Sequence, residues 1–278
     1  MPLGLPPVPS LEYLGLIATA LAVSGLIAGT LAGLFGVGGG IVLVPVLYHA
    51  FAAVGVDEAV RMHLAVGTSL ATIIPTSVRS VLSHNERGAV RWPLLRSFSP
   101  ATAAGTIAGG VLTAFLSSYA LTAVFASLAL IVSIYLGFGR EEWRLGERLP
   151  EGIGAQSIAF AIGFASALMG IGGGTFAVAA MSLYGVPIHE AVATSAGLGF
   201  VISVPGTISY IIAGWREPML PPFSIGYVSA IGFLLVVPAT IVSAPWGVAL
   251  AHRLSRTTLR RAFAAFLAVT ALRMFLEL

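Results

Sequence analysis

A glycine cluster of unusual composition occurs twice in this chain. Gly36-Val37-Gly38-Gly39-Gly40 returns as Gly170-Ile171-Gly172-Gly173-Gly174, each copy set between strongly apolar stretches. Glu58-Ala59-Val60 returns as Glu190-Ala191-Val192, Thr68-Ser69 as Thr194-Ser195, and Pro75 as Pro205, in the same order. The offsets are 134, 132, 126 and 130 residues, so short insertions separate the copies. A chain that repeats one order of features is expected to fold as two related halves. Many secondary transporters are built this way, with substrate held where the halves meet.

Composition fixes the solvent. Apolar residues make up 57% of the 278 and charged residues 9%, with mean hydropathy +0.97. An ordinary soluble domain carries roughly 25% charge, so this surface is expected to face lipid. The apolar segments run about Leu11 to Phe35, Ile41 to Val54, Ala59 to Leu82, Leu94 to Leu116 and Ala120 to Phe138 in the first half. The second half gives about Ile153 to Met169, Thr175 to Tyr184, Ala191 to Ala213, Phe223 to Pro245 and Arg261 to Leu276. The second segment of each half is too short for a hydrocarbon core of about 30 Å and reads as a half-helix beside its glycine loop. The expected fold is an all-α polytopic membrane protein of two five-segment repeats. Residues 1–138 form the first repeat, 139–152 a polar cytoplasmic linker and 153–278 the second repeat.

Orientation follows from charge. The basic residues are 14 arginines and no lysine, and none falls in the first 60 positions. Starting outside and counting ten passes of the chain places Arg79, Arg87, Arg91 and Arg96 around an inside loop. Arg140, Arg144 and Arg148 in the linker and Arg253, Arg256, Arg260 and Arg261 near the end also fall inside, as positive-inside bias requires. Each short helix then completes its pass through the extended glycine loop beside it. Five segments per half is odd, so the two repeats are expected to be inverted, with both termini outside.

The glycine clusters are the expected site. Bare backbone lies at membrane depth only where protein or a water-filled cavity satisfies its amides, and glycine lets those amides approach a ligand. Each cluster ends at a helix start. Gly38, Gly39, Gly40 and Ile41 on one side and Gly172, Gly173, Gly174 and Thr175 on the other would then aim free N–H groups and positive dipole ends at an anion. The competing reading is that these glycines only permit close helix packing. A dinucleotide-binding fingerprint is excluded by the lack of a strand–helix context.

Hydroxyls on the neighbouring segments support the cradle, above all Thr68, Ser69, Thr194 and Ser195, which recur; many membrane Ser and Thr merely bond the carbonyl one turn back. Arg79 reads either as a vestibule charge or as a snorkelling anchor. His63, His84 and His189 read as helix-end or loop histidines, and Asp57, Glu58 and Glu190 as caps favoured by the helix dipole. No carboxylate falls near the middle of a segment, which weakens proton or sodium coupling. With no cysteine, neither a disulfide nor a thiolate metal site exists, and no cofactor is expected.

Gly36 to Gly40 followed by Pro45, then Thr68-Ser69, Ser77, His84, Gly88 and Trp92, resembles the TauE/SafE sulfite exporter family. In the second half the resemblance rests on Gly170 to Gly174, Thr194-Ser195, Pro205, Gly206 and Tyr210. It covers nearly the whole chain. It implies a permease of the bacterial inner membrane that moves small sulfur-containing anions such as sulfite and sulfonates without ATP hydrolysis. The binding role it carries falls on the glycines and on the two Thr-Ser pairs. The second short segment lacks a proline matching Pro45, so the two half-sites need not be equal. Alternatives are a permease for small carboxylates or other solutes, and an anion channel. A membrane hydrolase finds no HExxH or Gly-x-Ser-x-Gly motif. The expected partners are a small anion and the lipid bilayer, with no nucleic acid; association into a homo-oligomer stays open.

Overall fold

The structure, a computed structural model, describes residues 15, 19, 21–23, 25–30, 40–138, 145–251 and 256–276. Gly38 and Gly39 of the first cluster lie outside the described residues. The helices are α1 (Leu21–Thr30), α2 (Gly40–Ala53), α3 (Glu58–Asn85), α4 (Trp92–Thr113) and α5 (Ser118–Phe138). After the linker come α6 (Ile153–Met169), α7 (Gly174–Leu183), α8 (Ile188–Ala213), α9 (Ala230–Ala251) and α10 (Arg256–Leu276). Among the described residues the one non-helical pairing is an isolated bridge between Ser224 and Ser229. Among the described residues four helices are long and apolar enough to cross a membrane: Glu58–Asn85, Ser118–Phe138, Ile188–Ala213 and Ala230–Gly247. The short segments are helices of 14 and 10 residues, about 21 and 15 Å long.

Local chemistry sets the ends. The Asp57 carboxylate accepts from Ala59 N at 2.9 Å and starts α3, and Pro93 sits in the first turn of α4, where a missing N–H costs nothing. Two boundaries depart from the sequence expectation. Helix α9 starts at Ala230, not Phe223, because Phe223 and Gly226 take positive φ values of 61° and 54° and break any helix through them. Helix α10 starts at Arg256, not Arg261: its first turn is polar, so the apolar pattern does not mark it, but arginine and leucine are good helix formers.

Small residues let the helices approach. A Cβ on Gly105 or Gly163 would collide with backbone carbonyls of the facing helix, Phe160 O and Thr102 O, so α4 and α6 touch main chain to main chain. Gly25 and Gly29 of α1 stand equally close to Val236 and Thr240 of α9. Around these pairs α3 packs on α8, α5 on α10, α2 on α3 and α7 on α8; α3 also packs on α9, and α8 on α4. Side-chain bonds tie the layers, with Thr76 Oγ1 to Thr240 Oγ1 at 3.2 Å and Ser133 Oγ donating to Ala264 O at 2.8 Å.

Helices α6 and α7 form a hairpin. Leu145 and Gly146 of the linker donate to Leu183 O at the end of α7, at 2.8 and 3.4 Å, while Ile153, the start of α6, lies only eight residues beyond Leu145. Both open ends therefore meet the linker. The glycine cluster is the hairpin's tip, a tight reversal rather than the extended passage expected from the sequence.

Candidate functional site at the glycine turns

The tip is built from a helix stop followed at once by a helix start. Gly170 takes φ 64°, and both its N–H and that of Ile171 reach back to Ser166 O, the latter at 3.1 Å, closing α6 with a left-handed cap. Gly173 takes φ 72°, a conformation that only glycine adopts freely, and its carbonyl accepts from Ala177 N at 2.7 Å, opening α7. The N–H groups of Gly172, Gly173, Gly174, Thr175 and Phe176 meet no acceptor among the described residues. All but Phe176 are buried, so these donors stand at the positive end of α7 out of contact with bulk water.

Gly40, the described glycine of the first cluster, comes to the same place. A Cβ on Gly40 would collide with Gly170 O and stand 3.0 Å from Ile171 Cα, so the start of α2 rests on the tip of the α6–α7 hairpin. Ile41 follows it at 1% exposure. Around the junction stand the middle of α3, through Ile73, and of α8, through Gly199 and Ile202; a Cβ on Gly172 would stand 2.8 Å from Ile73 and 3.5 Å from Gly199. Gly40 and the second cluster thus lie together at the centre of the helix bundle.

The hydroxyl pairs hold this centre in place. Ser69 Oγ donates to Gly170 O at 2.7 Å and fixes the turn. Thr68 Oγ1 accepts from Ser229 N at 2.8 Å, just before α9, and Thr194 Oγ1 accepts from Arg91 N at 3.1 Å, just before α4. The two threonines, both fully buried, perform one task twice: each accepts from the N–H of the residue just before a helix of the other half of the chain. Because Thr68 lies near the start of α3 and meets the chain beyond α8, while Thr194 lies near the start of α8 and meets the chain beyond α3, the two long helices run antiparallel. Ser195 Oγ donates to Val192 O at 2.8 Å on its own helix. Arg79 is exposed and apart from the glycine turns.

Several features escaped the sequence reading. Ser166, fully buried, and Thr175, 7% exposed, carry hydroxyls with no partner, and Ser166 Oγ lies 3.5 Å from where a Cβ on Gly173 would stand. A serine one turn before a glycine cap was the available signal. His63 is 3% exposed; its Nε2 meets Thr113 O at 3.0 Å and its ring stacks on Tyr227 at 4.8 Å. A carbonyl only accepts, so Nε2 carries the proton and Nδ1 is left bare. Burial, reinforced by the nearby Glu217 carboxylate, pushes the Tyr227 phenol above its ordinary pKa and keeps it neutral. At the far end of α7, about 15 Å from the turn, a cavity of about 530 Å³ opens between Arg91, Leu94, Glu147, Arg148, Tyr184 and Val186. Beside it Arg91 Nε pairs with Glu190 Oε2 at 3.3 Å. No cluster of His, Asp and Glu with metal-binding geometry occurs among the described residues.

Long apolar helices around a buried, polar, glycine-built centre define an integral multi-pass membrane protein, and its relatives are named as probable membrane transporters. The chain belongs to the sulfite exporter TauE/SafE family, whose model matches residues 21–274. It is similar to a probable membrane transporter protein of Haemophilus influenzae, 32% identical over 253 residues, covering 91% of this chain and 96% of that one. A probable membrane transporter protein of Methanocaldococcus jannaschii is 29% identical over 95% of this chain and 97% of its own. The probable membrane transporter protein YunE of Bacillus subtilis is 32% identical over 70% of this chain and 78% of its own. No solved structure matches the chain.

Proposed function

We propose that this protein is a secondary transporter of small sulfur oxyanions, sulfite and short sulfonates, which it carries by alternating access through the glycine turns. The observation that carries the reading is the row of buried amides from Gly172 to Thr175, without an acceptor among the described residues, with Gly40 packed against the same turn. Main-chain amides at a helix start bind an anion without a counter-charge, and an anion so held is easily released to either side. Two features support inverted repeats: α3 and α8 run antiparallel, and each holds the residue before a helix of the other half through a matching threonine. Alternating access then consists of rocking one half against the other around the fixed junction. At an inside-negative potential of 100 mV each exported negative charge gains about 2.3 kcal/mol, roughly a 50-fold gradient, so export of a monoanion runs without a coupling ion.

The test is charge movement across proteoliposomes challenged in turn with sulfite, methanesulfonate, acetate and chloride. A saturable current with the two sulfur anions, showing counterflow, is the expected result. Current carried equally by acetate would move the assignment to carboxylates, and a non-saturating chloride current would make the protein a channel.

A further inference from the structure

The two glycine clusters are unequal in chemistry although they share a sequence pattern. At the cluster offset of 134 residues, Ser166 corresponds to Ala32 and Thr175 to Ile41, so only the second cluster is flanked by hydroxyls. Both hydroxyls are buried and neither has a partner among the described residues. Ser166 already holds the turn through its carbonyl, which takes the N–H groups of Gly170 and Ile171; its side chain adds nothing to that cap and faces Gly173 instead. Thr175 sits in the first turn of α7 among the unpaired amides. Burying a hydroxyl with nothing to bond opposes folding, and here two such groups flank one helix start.

We propose that Ser166 and Thr175 are substrate ligands: their hydroxyls donate to the oxygens of the bound anion and make the α7 turn the principal half-site. The inference rests on the anion reading of the glycine turns and deepens it. An XO3 group such as sulfite or a sulfonate presents three oxygens, each able to take more than one donor, whereas a carboxylate presents two. Adding two hydroxyls to a row of amides therefore favours the sulfur oxyanion over a carboxylate of equal charge. The Ile202 side chain against Gly173 keeps water from the turn and strengthens each of these bonds. The start of α2, with Ile41 where α7 has Thr175, contributes main chain only.

The experiment uses the purified full-length protein in detergent and follows its thermal midpoint against sulfite, methanesulfonate and acetate for wild type, Ser166→Ala, Thr175→Val, Thr175→Ser and Ser182→Ala. Ser182, near the opposite end of α7, also carries a buried hydroxyl without a partner and serves as control. Removing a hydroxyl that bonds a charged ligand weakens binding by roughly 10- to 100-fold. Ser166→Ala and Thr175→Val should each lose that much for sulfite, lose far less for acetate, and leave the ligand-free midpoint unchanged or higher. Thr175→Ser and Ser182→Ala should bind as wild type does. A lowered ligand-free midpoint with sulfite affinity unchanged would make the hydroxyls structural and overturn this inference alone. If no oxyanion stabilises the wild-type protein, the anion reading fails and this inference fails with it.

Discussion

Helices α3 and α8 carry the same Thr-Ser pair and differ in where one turn of helix is placed. Thr68 is the eleventh residue of α3 and Thr194 the seventh of α8, so α3 has an additional turn before its pair. Between the pair and the proline beyond it the order reverses, with seven residues from Thr68 to Pro75 and eleven from Thr194 to Pro205. Four residues nearly equal one 3.6-residue turn, so the insertion rotates the remainder of the helix by only about 40°. The first turn of α3 is held by Arg61, which donates to Val56 O at 2.9 Å and lies 5.4 Å from the Tyr48 ring centre. At the matching place in α8, four residues before Ile188, the chain is a loop, and the cavity beside Arg91 and Tyr184 opens there. The buried hydroxyl that holds the residue before a helix of the other half is common to both helices, and the end that faces outward differs.

The strongest way to break this comparison is at its centre. Gly40→Ala puts a methyl on the Gly170 carbonyl and within 3.0 Å of Ile171 Cα, and both are backbone held by α3, so neither can move aside. The expected cost is about 3 kcal/mol or more, with transport abolished, read by thermal unfolding in detergent and by flux. Gly137→Ala in α5 is the matched control: its methyl would stand 3.7 Å from Ala264, ordinary contact, and helix propensity predicts a gain of up to about 1 kcal/mol. Equal behaviour of the two variants would mean that the glycine turns do not touch in the working protein.

The next test asks whether the two threonines are equivalent. Valine keeps the shape of threonine and removes the acceptor, so Thr68→Val strands Ser229 N and Thr194→Val strands Arg91 N. Leaving a buried amide without its acceptor costs about 1–3 kcal/mol; the two sites share no partner, so the double variant should show the sum. Serine at either position should restore most of the loss. If only Thr194→Val destabilises, Thr68 is free for another role and the symmetry of use disappears.

The sequence carried the features that depend on pattern. Ten apolar segments, two of them too short to span, follow from counting residues against a bilayer, and the helices of 14 and 10 residues appear where expected. Glycines in a repeated cluster announce close approach, and Gly40 on Gly170 is such an approach. The uses of individual hydroxyls were not legible, because a serine in a membrane helix looks the same whether it bonds its own helix, as Ser195 does, or a distant turn, as Ser69 does. Nor could pattern reveal that Ser166 would lack a partner, since that depends on the side chains packed around it. The start of α9 was misplaced because Phe223 is apolar, and its positive φ is imposed by the loop that Thr68 and Tyr210 anchor from other helices.

The smallest effect is expected at the linker-side end, where the comparison says that divergence is cheap. Arg91 and Glu190 pair at 3.3 Å with side chains 50% and 40% exposed, and exposed ion pairs contribute about 0.2–1 kcal/mol. The part of Arg91 that the fold depends on is its amide, which Thr194 accepts and which any side chain supplies. Arg91→Gln should therefore cost less than about 1 kcal/mol, the coupling to Glu190→Gln in a double-mutant cycle should be of that size, and roughly 0.5 M salt should remove most of it, since the Debye length there falls below about 5 Å. A loss as large as that of Thr194→Val would show that the guanidinium, not the capped amide, holds the start of α4. In that case the absent turn of α8 has been replaced by an ion pair that the structure needs, and the outer ends of α3 and α8 are constrained after all.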